Sequence, residues 1–140
     1  MKVLLILSQF VFTLGLTSPP KQEPLAITIT NLKNTRAPLK IAVFRKTDEF
    51  LKKPFKSYTL EPNGGSSPTL FADDLPYGEY AVAIFQDENK DGKLNTNLLG
   101  IPKEPYCFSQ NYRPKIKSPK FESCKFIYSA KDNRMYLQLL

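Results

Sequence analysis

The chain has 140 residues, with 20 Lys and Arg against 13 Asp and Glu, a formal charge of +7, two cysteines and neither histidine nor tryptophan. Lack of histidine excludes Ser-His and Cys-His nucleophile pairs and His-based zinc sites, and two cysteines cannot complete a structural zinc site of the usual four-ligand kind. The positive excess suits an anionic partner, an envelope glycan or polyanion such as lipopolysaccharide, or serves solubility alone; the export signal argues against nucleic acid.

Residues 1–18 read as a signal peptide. Lys2 supplies the positive start, Val3 to Leu16 is a mostly apolar run, and Gly15, Thr17 and Ser18 lead into Pro19-Pro20. The run is shorter than the roughly 18–20 residues of a spanning helix, so cleavage is expected rather than anchoring, and a periplasmic or secreted location follows. Residues 19–24 form a proline-rich linker, and residues 25–140 fit one domain with its own core and no further transmembrane segment.

Seven short runs then follow. Leu25 to Leu32 alternates, with Leu25, Ile27 and Ile29 on one face. Leu39 to Phe44, Phe55 to Leu60 and Ser67 to Ala72 are the next three, the last after the turn Pro62-Asn-Gly-Gly65. Glu79 to Phe85 is apolar on both faces, Tyr80, Val82 and Ile84 against Ala81, Ala83 and Phe85, which predicts a central strand. Tyr80, after Leu75-Pro-Tyr-Gly-Glu79, is a candidate corner tyrosine. Phe121 to Tyr128 and Met135 to Leu140 complete the set. The pattern predicts an all-β fold, a seven-stranded antiparallel β-sandwich with one long loop before the last two strands. That loop, Asp87 to Lys120, is polar and proline-rich, and loops of this length are usually functional or tied down.

Its first part carries the most specific pattern. Asp87, Asn89 and Asp91 place side-chain oxygens at alternate positions, Gly92 permits a tight turn, the Lys93 carbonyl falls at a seventh position and Asn95 at a ninth. This is the spacing of a loop that wraps its own oxygens around Ca²⁺. The twelfth position is Leu98, so the bidentate glutamate is missing, and Glu104 is the nearest carboxylate that could replace it. The same residues also read as a solvated polar turn held by side-chain-to-backbone hydrogen bonds.

Further on, Tyr106, Phe108, Asn111 and Tyr112 combine aromatic faces with an amide and could hold a sugar or peptide, or could anchor the loop by aromatic burial. Tyr112 to Lys120 carries four positive charges and no acid, a polyanion-binding run or a solvated, proline-stiffened loop.

The block Leu75-Pro-Tyr-Gly-Glu-Tyr80 through Asp87-Glu-Asn89 to Gly100-Ile-Pro-Lys-Glu104 resembles the small exported bacterial proteins of domain-of-unknown-function family 2141, and the resemblance covers Leu25 to Leu140. It implies a transthyretin-like or immunoglobulin-like β-sandwich and export, with no particular activity. The chain departs from the family pattern at Gln86, where histidine is expected, and at Asn95, where aspartate is common. Pro105-Tyr-Cys107 and Cys124 also differ. As the only two cysteines of an exported chain, Cys107 and Cys124 are expected to form a disulfide; the alternative is a free Cys107 with Cys124 as a small core residue. The resulting expectation is a non-enzymatic module of the bacterial cell envelope with a loop stabilised by Ca²⁺, the alternative being a carbohydrate- or peptide-binding module that uses the aromatic loop.

Overall fold

The computed structural model describes residues 21–140, so the signal-peptide stretch and the first two linker residues lie outside the described residues. Eight strands follow in chain order: β1 (Leu25–Thr30), β2 (Leu39–Phe44), β3 (Lys56–Leu60), β4 (Thr69–Ala72), β5 (Gly78–Gln86), β6 (Tyr106–Phe108), β7 (Phe126–Tyr128) and β8 (Arg134–Gln138). A 3₁₀ turn, Ser109–Asn111, follows β6, and a single helical turn, α1 (Phe121–Cys124), precedes β7.

Two sheets pack face to face, one ordered β4-β1-β8 and the other β3-β2-β5-β6, with β7 also on β5. The period-two pattern decides which side chains meet. Leu25, Ile27 and Ile29 from β1 face Leu39, Ile41 and Val43 from β2 and Tyr80, Val82 and Ile84 from β5, and all nine are buried. Full burial of one such aliphatic side chain contributes about 1.5–3 kcal/mol, so this layer dominates the stability of the fold. Strand β5 is the longest, and two short strands share one of its edges, β7 at Gly78–Tyr80 and β6 at Ala83–Phe85. On its other edge Ala81 to Gln86 pairs with β2. This is the central strand expected from its two apolar faces.

The opposite parity of β2 and β5 builds a second, smaller cluster on the outer face of the larger sheet, from Phe44, Ala81, Phe108, Phe121 and Cys124. Phe50 joins it edge-on, its ring 5.0 Å from that of Phe44 and 6.1 Å from that of Phe121. The Tyr80 hydroxyl donates to the Pro76 carbonyl at 2.8 Å, which closes the corner before β5. Residues of the expected linker are also held: Gln22 donates to the Leu75 carbonyl and the Tyr128 hydroxyl, and Tyr128 donates to the Glu23 carbonyl.

Three features correct the sequence expectation. The strands number eight among the described residues, because β6 lies inside the segment read as a loop; three residues are too few to display a period. The run Phe121 to Tyr128 is divided between α1 and β7. The sandwich is also not wholly antiparallel, since β8 runs parallel to β1, from Ala26 opposite Arg134 to Thr30 opposite Gln138. After β7 the chain turns at Ser129 to Asn133, crosses to the other sheet and arrives beside β1 running in the same direction. Apolar alternation marks a strand's faces but not its direction, so this pairing has no signature in the pattern.

Candidate functional site

Strand β5 ends in a buried polar residue, Gln86 at 0 % exposure, and the residue that follows, Asp87, is buried too, at 2 %. Gln86 accepts from the amides of Lys33 (3.1 Å) and Asn34 (3.4 Å) and donates to the Asn34 carbonyl, so it ties the end of β5 to the loop after β1. The backbone of Asp87 is held too, its amide donating to the Pro38 carbonyl at 2.9 Å.

From this fixed base the loop winds around its own side-chain oxygens. Asp87 Oδ1 accepts from the Asp91 amide at 3.1 Å and Oδ2 from the Gly92 amide at 3.0 Å. Asn89 Oδ1 also accepts from the Asp91 amide, at 3.1 Å, and Asp91 Oδ1 from the Lys93 amide at 2.8 Å. Gly92 sits at φ +76°, a left-handed conformation that strains any residue with a Cβ. Three side-chain amide contacts close the ring: Asn89 Nδ2 donates to Asp91 Oδ2 (3.0 Å) and Asn95 Oδ1 (2.7 Å), and Asn95 Nδ2 donates to Asp91 Oδ2 (2.9 Å). The hydrogen bond from Asn95, then the Lys93 amide, hold the Asp91 carboxyl below its ordinary range.

Glu104 reaches back to this ring, as the missing twelfth ligand would have to. It is buried, Oε1 accepting from the Glu88 amide at 3.0 Å and Oε2 from the Asn95 amide at 3.1 Å. Asp87, Asn89, Asp91, Asn95 and Glu104 thus belong to one hydrogen-bonded unit, and Lys93 enters it through its amide. Among the described residues, however, no three acidic or cysteine side chains form a group able to hold a metal ion. Each carboxylate is directed at backbone amides, and each keeps lone pairs beyond those bonds.

The four residues proposed for a sugar or peptide are not gathered in one patch. Tyr106 and Phe108 adjoin each other on β6, ring centroids 5.7 Å apart at 67°. Asn111 instead caps the edge of β8, its Nδ2 donating to the Tyr136 carbonyl (3.0 Å) and its Oδ1 accepting from the Gln138 amide (2.9 Å). Tyr112 follows it on an exposed stretch.

The expected disulfide is absent: Cys107 and Cys124 are both free and buried. Their faces explain it. Cys107 points into the core between the sheets, and Cys124 packs in the outer cluster with Phe44 and Phe108, on the other side of the same sheet. Burial pushes the Cys107 thiol up to about 12 and the Cys124 thiol to about 11, so neither is a nucleophile at neutral pH. Ser109, which no sequence signal singled out, binds this region together. Its Oγ accepts from the Val82 amide at 2.8 Å and donates to the Cys124 carbonyl, extending the pairing of β5 beyond the end of β6.

The sequence also left unforeseen a groove of about 940 Å³ on the outer face of the larger sheet. Ala42 and Ala83 lie opposite each other in adjacent strands at its floor, with Phe85 opposite Tyr106 toward one end. The continuation of the Asp87 loop, residues 93–102, forms one wall, and residues 114–119 form another. The first wall is a small hairpin, closed by the bridge Thr96–Pro102 and by Asn97, whose side chain accepts from the Leu99 and Ile101 amides.

No curated protein and no solved structure matches this chain. One family does: the chain belongs to the family described as "Uncharacterized protein conserved in bacteria (DUF2141)", which matches residues 27–136.

Proposed function

We propose that this chain is an exported, non-enzymatic β-sandwich module of the bacterial cell envelope whose Asp87–Asn97 loop takes up Ca²⁺ weakly. The observation that carries the reading is the pre-wound loop. Asp87, Asn89 and Asp91 already fold the backbone around their own oxygens, and Asn95 and Glu104 close the far side. An entering cation takes the place of the Asn89 and Asn95 amide groups beside Asp91 Oδ2, and those side chains turn an oxygen inward. With carboxylates directed at amides and no bidentate twelfth ligand, affinity falls on the order of 10⁻⁴–10⁻³ M. Mg²⁺ competes poorly because it demands tighter octahedral geometry. The two buried thiols, with pKa values raised to about 12 and about 11, and the missing histidine support a non-enzymatic role.

Calorimetry with millimolar CaCl₂ tests the reading. The parent chain gives saturable heat, and Asp91→Asn, which removes a charge but preserves the fold, abolishes it. No heat from the parent, or equal heat from both proteins, would leave the loop a polar turn. Export is tested separately by the intact mass of protein from the envelope fraction, which should lack about 15–20 N-terminal residues.

A further inference from the structure

The outer face of a β-sandwich sheet is usually polar, but here its centre is not. The cross-strand pair Ala42–Ala83 leaves a hollow among larger side chains, with Phe85 and Tyr106 at one end, Phe44 at the other and Phe108 directly beside Ala83. Both walls carry apolar side chains along the rim of this hollow. Leu99, Ile101 and Ile116 line it while remaining 83 %, 55 % and 95 % exposed.

Among the described residues, every charged side chain lining the groove is a lysine: Lys40, Lys52, Lys93, Lys115 and Lys117. They come from four separate segments, so the clustering arises only in the folded chain. Lys52 pairs with Glu49. The other ion pairs of the described residues use Arg45, Lys46, Lys56 and Lys125, which leaves four of the five groove lysines without a carboxylate. A sugar would require carboxylate or carboxamide groups to take its hydroxyls in pairs, and among the described residues no Asp, Glu, Asn or Gln lines the groove. A small inorganic anion would leave the apolar floor uncovered. The floor is recessed between two walls, which a flat bilayer does not reach.

We propose that this groove binds a single-chain anionic amphiphile of the fatty-acid type, its acyl chain over the Ala42–Ala83 floor and its carboxylate among the rim lysines. The volume lies within the roughly 300–1,000 Å³ of small-molecule sites, and an apolar cleft with a few charged groups is their usual composition. Cation uptake by the neighbouring loop is not required.

Calorimetric titration of the purified chain with decanoate below its micelle concentration tests the proposal, with decyl maltoside as a neutral probe of equal chain length. Decanoate should bind saturably at one site, at least tenfold tighter than decyl maltoside, and weaken as salt rises. Lys115→Gln/Lys117→Gln, changed at exposed wall positions, should lower affinity about tenfold, the sum of two modest exposed ion contacts. Ala83→Phe should abolish binding by filling the hollow. If that variant fails to fold, Ile116→Asp, at a fully exposed position, should still weaken decanoate severalfold. The proposal is overturned by equal binding of the two probes, by no binding of decanoate, by lysine and wall variants that bind like the parent, or by a chain that sediments with anionic vesicles yet ignores decanoate.

Discussion

Replacing Glu104 tests how firmly the loop is fastened to the sandwich. Its two oxygens accept from the Glu88 and Asn95 amides at 3.0 and 3.1 Å, so one buried side chain clamps both ends of the turn. A hydrogen bond to a charged group contributes about 1.5–3 kcal/mol. Both amides are only partly buried, so water recovers some of the loss and the lower end applies. Glu104→Ala removes both bonds and should cost about 3 kcal/mol, whereas Glu104→Gln retains one oxygen acceptor and should cost about 1.5 kcal/mol. With an m-value near 2 kcal/mol/M for a domain of this size, the urea midpoints should fall by about 1.5 M and about 0.75 M. Urea unfolding followed by tyrosine fluorescence or circular dichroism measures both. A Glu104→Ala variant within about 0.5 kcal/mol of the parent, the ordinary scatter of surface substitutions, would refute the clamp.

Other outcomes follow from the same contacts. Tyr80→Phe loses the bond to the Pro76 carbonyl and should cost about 1 kcal/mol in the same urea assay, with the fold unchanged. Thiol titration of the denatured, unreduced protein should find two free thiols per chain, and the native protein should react slowly because both are buried. The pH dependence has a definite sign. Asp48, Asp74, Asp91 and Glu122 are held below their ordinary values of 3.8, 3.8, 3.8 and 4.5 by hydrogen bonds from Arg45, Lys56, Asn95 and Lys125 respectively. A carboxylate lowered on folding contributes stability that is complete above its unfolded value and lost as pH falls through its folded value. Thermal stability should therefore hold from neutrality down to about pH 5 and decline only in stronger acid; a decline beginning near pH 6 would contradict these shifts.

Much of the fold was legible because burial imposes a period of two. Leu25, Ile27 and Ile29 declared an inner face, and the two faces of β5 announced a strand apolar on both sides. What the pattern could not show was direction or three-residue pairing, which hid the parallel β8 and the short β6. The Asp87 loop was legible as chemistry, since Asp, Asn and Gly at those spacings favour side-chain-to-backbone bonds whether or not a cation is present. Its anchoring was less so. Asp87 and Glu104 sit in polar stretches that read as surface, yet both are buried because the backbone amides beneath them need acceptors. The cysteine pairing failed for a geometric reason: export and pair count say nothing about which side of a sheet each thiol faces. The lysine-rimmed groove draws on four segments, so no local motif announces it.

The reading of the loop as a pre-wound cradle for Ca²⁺ is tested most directly by following backbone amide resonances during a calcium titration. The Asp91, Gly92 and Lys93 amides already bond to Asp87, Asn89 and Asp91 oxygens. They should shift together and saturate with a common dissociation constant on the order of 10⁻⁴–10⁻³ M, while amides of β1 and β2 stay still. Shifts that are small, unsaturated and spread over the whole surface would contradict the account.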